Sequence, residues 1–175
     1  MNNKKVLIGL MLSLFAAQQL YAAAVPVRTS IEVTAEIASS IQVIYDRNLD
    51  VTEGNVQVKL EDTGGYMMGM TKSFHFIGNA SKVRLHLVAP TGGGLAKVGD
   101  PDNFVMGIGT LWYTSPTQSG GDTGFDRDAT VYPTLSDIPS DTSGTYIRFR
   151  SFQQTVNYPL GSYSGTYTLV VTPTT

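Results

Sequence analysis

The chain has 175 residues, no cysteine, and 14 acidic against 12 basic side chains for a formal charge of −2. A balance this close to neutral, without a basic run, excludes nucleic acid as an expected partner. The lack of cysteine excludes disulfides as the source of stability even in an oxidising compartment, so packing and hydrogen bonds must hold the fold.

The first element is a leader. Lys4 and Lys5 precede an apolar run over 6–17 (VLIGLMLSLFAA), and Ala22, Ala23 and Ala24 supply small residues for cleavage. The run is too short for a spanning helix. Residues 1–24 therefore read as a signal peptide cut after Ala24, with Ala22 as the rival position. Export leaves about 150 residues, enough for one domain with one core. Losing Lys4 and Lys5 takes the charge to about −4.

Residues 25–37 (VPVRTSIEVTAEI) place Val25, Val27, Thr29, Ile31, Val33, Ala35 and Ile37 on one side and Pro26, Arg28, Ser30, Glu32, Thr34 and Glu36 on the other. This is the period of an extended strand with one apolar face. Full burial of Val27, Ile31, Val33 and Ile37 is worth on the order of 10 kcal/mol. The rest of the chain continues as short strands with no helical period. Residues 41–45 (IQVIY) and 56–60 (VQVKL) come first, then a turn over 61–65 (EDTGG), a strand at 73–77 and a Gly-Asn turn. Residues 82–88 put Val83, Leu85 and Leu87 inward and Lys82, Arg84 and His86 outward, and a Pro-Thr-Gly-Gly-Gly loop ends them. Apolar stretches at 104–108 and 111–113 precede a loop expected over 115–128. Strands follow at 146–152 and 162–171, the latter with Tyr163, Gly165, Tyr167, Leu169 and Val171 on one parity. About eight strands at this spacing imply an all-β sandwich.

Several motifs could carry chemistry. Asp62-Thr63-Gly64 and Asp122-Thr123-Gly124 both spell the aspartic-protease triplet, but Glu61 precedes one and Gly120-Gly121 the other, where such a site needs apolar strands; both read as turns. Asp122, Asp126 and Asp128 could offer oxygens to calcium, yet their spacing lacks the glycine and terminal glutamate of an EF-hand loop, and a solvated acidic loop is expected. His75 and His86 fall on the polar parity of their strands and are expected at the surface rather than on a metal. Trp112 and Tyr113 either stack on a sugar or belong to the core. No catalytic residue, metal ligand or cofactor site is expected.

Two terminal motifs carry a resemblance. Residues 31–37 (IEVTAEI) resemble the I-x-V-T-A-x-V stretch near the N-terminus of the major subunits of alternate-chaperone colonisation-factor fimbriae, a branch of the chaperone–usher pilins. Residues 163–171 (YSGTYTLVV) resemble their closing Y-S-G-x-x-x-L-V strand. The resemblance implies an incomplete immunoglobulin-like β-sandwich over 39–175, preceded by a donor-strand extension over 25–38 that completes a neighbouring subunit. It implies a periplasmic chaperone, an outer-membrane usher, a homopolymeric fimbria at the cell surface and adhesion to a host receptor. Val25, Val27, Thr29, Ile31, Val33, Ala35 and Ile37 would be the donor strand. Tyr163, Gly165, Tyr167, Leu169 and Val171, with Ile41, Val43 and Tyr45, would line the acceptor groove. Ala35 and Gly165 would mark a shallow pocket and a close backbone approach. Two other readings stay open. Residues 25–37 could fold into their own domain, and the chain could be a secreted monomeric or tip-located adhesin or lectin.

Overall fold

Alternating segments fold as the pleat requires. The computed structural model describes residues 28–34, 40–140 and 143–174. The expected leader, with Val25, Val27, Ala35 and Ile37, lies outside them. The first strands are β1 (Arg28–Thr34), β2 (Gln42–Tyr45), β3 (Leu49–Asp50), β4 (Asn55–Lys59) and β5 (Glu61–Thr63). Next come β6 (Tyr66–Met70), β7 (Phe74–Ile77), β8 (Lys82–Val88), β9 (Gly94–Lys97) and β10 (Val105–Tyr113). The last are β11 (Asp122–Thr123), β12 (Asp126–Tyr132), β13 (Tyr146–Ser151), β14 (Tyr163–Ser164) and β15 (Thr166–Thr174). Along β4 and β8 every second residue is buried and its neighbours are exposed, as one wet and one dry face demand.

The strands form two sheets, β3-β2-β7-β12-β8-β15-β1-β4 and β14-β9-β10-β13-β6-β5, with β11 added beside β10. The protein is thus all-β, with Val83, Leu85, Leu87, Tyr167 and Leu169 of the first sheet and Met106, Trp112, Ile147 and Phe149 of the second in one core. At two of its passages between the sheets the chain turns within a single residue. Leu60, fully buried, separates β4 from β5, and Gly165 separates β14 from β15. Strands β3 and β4, at opposite edges of the larger sheet, are joined by residues 51–54, where Gly54 N–H donates to the Val51 carbonyl at 3.0 Å. The connection is short enough that this sheet must curl.

The differences from the sequence expectation are local. The apolar stretches at 104–108 and 111–113 are one strand, β10. The loop expected over 115–128 contains β11 and the start of β12, and β12 lies in the middle of the larger sheet, antiparallel to β8 and parallel to β7. The strand expected over 162–171 breaks at Gly165, where an added Cβ would sit 3.1 Å from the Gly94 carbonyl oxygen and 3.1 Å from a Leu95 methyl.

Gly94 gives the sharpest test of this packing, because a Cβ there would lie 2.1 Å from the Met106 carbonyl oxygen, across the β9–β10 ladder. Gly94→Ala is expected to lower unfolding free energy by about 2 kcal/mol or more, since backbone on both sides must move. Gly120→Ala, with no atom of the described residues beyond its chain neighbours within 4 Å of its Cβ, should leave the urea midpoint unchanged.

Candidate functional site

Strand β1 runs parallel to β15 on one side and antiparallel to β4 on the other. Its register sets Ile31 opposite both Tyr167 and Val56, Val33 opposite Leu169, and Thr29 opposite Val58. Those four flanking residues are all buried in the core. The Phe149 ring of the second sheet meets Tyr167 edge-on, with centroids 5.1 Å apart, and so backs the slot from below.

Among the described strands β4 pairs with β1 alone. Taking β1 away would detach β4 from the sheet and leave two rows of peptide groups, on β4 and β15, without partners. Open edges of this kind bind extended chains, since each ladder bond is worth about 1 kcal/mol and an unmet buried group costs more. The slot is therefore built to hold one extended segment over an apolar floor.

Tyr167 and Leu169 stand opposite Ile31 and Val33 in the β15–β1 ladder. Val171 continues the same face but pairs across to Leu85 of β8, beyond the described register of β1. Gly165 is a corner whose close approach is to β9, and Tyr163 lies on β14 of the other sheet, its hydroxyl donating to the Pro159 carbonyl at 2.7 Å. Ile41, immediately before β2, and Val43 and Tyr45 on it are set apart from the slot, because β7, β12 and β8 intervene between β2 and β15. Ile41 and Val43 serve the core, and the Tyr45 ring packs on Phe74 at 5.0 Å. Val56 and Val58, the second wall, were readable as half-buried positions, but alternation alone does not say which strand is the neighbour.

The chemical motifs resolve differently. Asp62 accepts the Gly65 N–H at 3.0 Å, and Gly64 and Gly65, with φ of 62° and 80°, make the tight β5–β6 hairpin turn. Asp122 pairs with Arg127 and Asp126 with His86. Among the described residues no three His, Asp or Glu side chains gather as metal ligands. Trp112 is in the core, its Nε1–H donating to the Gly124 carbonyl at 2.9 Å, so its ring face is not open to a sugar.

His75 corrects the expectation of a surface histidine, being 2% exposed. Its parity is the outer one, but the outer face of β7 here is roofed by the segment that follows β12, and its Nε2 lies 2.9 Å from the Ser143 carbonyl. Burial pushes its pKa down.

No protein-family model and no curated protein matches the chain.

Two outcomes follow from these groups. The Tyr167 hydroxyl is buried with no hydrogen-bond partner among the described residues, and burial pushes its pKa up to about 12. Tyr167→Phe removes that unmet group and is expected to leave stability unchanged or raise it by up to about 1 kcal/mol in urea unfolding. For His75 the unfolded state binds protons more readily than the folded one, so its contribution is complete above the unfolded pKa of 6.5 and is lost as pH falls below it. The melting temperature should drop between pH 7 and pH 5, and His75→Gln should flatten that drop.

Proposed function

We propose that the chain is the structural subunit of a surface fimbria, exported through the periplasm and polymerised by donor-strand exchange with a chaperone and an outer-membrane usher, serving adhesion. One observation carries this reading: a slot between β15 and β4 is filled by a strand drawn from the very N-terminal region whose alternation resembles a pilin extension. The slot accepts β1 through ladder bonds on both edges and an apolar floor, neither of which depends on the strand being covalently part of the same body. A copy of β1 from a neighbouring subunit offers the same register to the same edges. Exchange between identical chains is a low-cost route from a closed monomer to an assembly, and a head-to-tail contact that does not close produces a fibre. The alternate-chaperone identity, the usher and the homopolymer rest on the terminal motifs.

The second reading, a monomeric secreted adhesin or lectin, is favoured by the fact that β1 pairs here with strands of its own chain. The two differ in whether β1 exchanges. Deleting residues 25–37 should leave a subunit that still binds a periplasmic chaperone but forms no detergent-resistant ladder of oligomers on unheated gels. Ile31→Asp with Val33→Asp should do the same, because both positions oppose buried apolar residues and an unpaired charge there is costly. Arg28→Ala or Glu32→Ala should assemble normally. A wild-type protein that stays monomeric with its chaperone and usher present, or normal fibres from the deletion, would refute exchange.

A further inference from the structure

The outer face of the second sheet carries a second feature that β1 and its slot do not use. Cross-strand register aligns Leu111, Arg148 and Met70 in one row and Gly109, Arg150 and Met68 in the next. Both arginines are held in place without a carboxylate. Arg148 donates through Nη1 to the Tyr113 hydroxyl at 2.8 Å, and the Arg150 guanidinium lies 3.9 Å from the centre of the Tyr66 ring. Among the described residues neither makes a salt bridge. Glu61, opposite Met68 on the adjoining strand β5, is engaged by Lys59 at 2.9 Å, and Asp122, on the other flank, by Arg127.

Beside Arg150 lies an aromatic plate. A Cβ on Gly107 or Gly109 would come within 2.6 Å and 2.9 Å of the Phe152 ring, so the ring rests on bare backbone where two strand glycines make room. Phe152 nonetheless remains 70% exposed, so much of the ring faces solvent. Tyr66, Gly109, Leu111, Thr123, Arg150 and Phe152 line an open groove of about 550 Å³. The groove thus combines a flat apolar face, a guanidinium fixed by stacking and a threonine hydroxyl.

We infer that this groove is a binding site for a carboxylate-bearing sugar, the carboxylate taken by Arg150 with Arg148 nearby and the pyranose ring laid on Phe152. A planar guanidinium offers two parallel N–H donors that match a carboxylate, and stacking on Tyr66 lowers the ordering cost of presenting them. A pyranose has an apolar C–H face suited to an aromatic plate and hydroxyls at its edge for Thr123. Two guanidiniums on one face, neither held by a carboxylate of the described residues, make this spot locally cationic and suited to an anion. The inference stands whether or not the chain polymerises.

The test is an NMR titration of the full exported chain with methyl β-D-glucuronide, methyl β-D-glucoside and glucose 6-sulfate. The first two differ chiefly in one carboxylate. Saturable shifts of the amides at 107–109 and 150–152 with the glucuronide, at least tenfold weaker binding of the glucoside and of the sulfate, and a tenfold loss in Arg150→Ala are expected. Arg150→Lys keeps the charge but not the fork and should also bind several-fold more weakly, with unchanged melting temperature. Phe152→Ser should weaken binding of the glucuronide several-fold. Equal binding of glucoside and glucuronide, preference for the sulfate, shifts that map elsewhere in the wild-type protein, or no saturation at tens of millimolar would each overturn the assignment.

Discussion

The structure depends on one requirement, that the inner edges of β15 and β4 both find a partner. Among the described strands β4 has no other neighbour in its sheet, and it leads through Leu60 into β5 and so ties the larger sheet to the smaller one. A segment inserted between β15 and β4 therefore does three things together. It satisfies two rows of peptide groups, sets its own residues in register with Tyr167 and Leu169, and fixes the corner where the chain crosses between sheets. In a domain without disulfides these are large shares of what holds the fold.

That arrangement explains why a strand near the N-terminus carries so much weight. Strand β15 makes one ladder with β8 on one side and one with β1 on the other. An ordinary edge strand would lose one ladder on leaving; β1 loses two. The same doubling makes the slot selective, because an incoming segment must match the register on both flanks, with apolar residues at the positions opposite Tyr167, Leu169 and Val56. A one-residue slip would turn its polar side to the core.

Legibility in the sequence followed the wetting of each strand. In β8, Lys82, Arg84 and His86 face water while Val83, Leu85 and Leu87 are buried, so the pattern is unambiguous. The same holds for Tyr167, Leu169 and Val171. Strand β12, with the sequence DRDATVY, is central in the sheet yet buries only Val131 fully, and a strand that stays wet on most positions looks like a loop. His75 shows the opposite failure: the parity is right, but a roof of chain from a distant part of the sequence makes the outer face dry. For the slot, alternation identified Tyr167 and Leu169 as inward residues and could not identify β4 as the opposite wall. The pairing of Val56 and Val58 with a strand more than twenty residues earlier is a fact of topology, and periodicity carries no information about topology. Likewise β2 follows the N-terminal strand in sequence, yet β7, β12 and β8 stand between it and β15.

The two surfaces make different demands on the fold. The slot needs hydrophobic burial and peptide pairing, and it tolerates nothing charged at its floor. The outer face of β6, β13 and β10 needs the reverse, with side chains ordered while still wet. Arg148 and Arg150 achieve that through Tyr113 and Tyr66, and Phe152 through the backbone of Gly107 and Gly109. Strand β13 serves both requirements, because its parity sends Ile147 and Phe149 into the core, where Phe149 backs Tyr167, and sends Arg148 and Arg150 to the solvent face. A strand rigid enough to back the slot on one side is by the same rigidity a fixed platform on the other. If subunits join through the slot, each added copy repeats that platform along the assembly, and a weak site on one subunit becomes a multivalent one on the fibre.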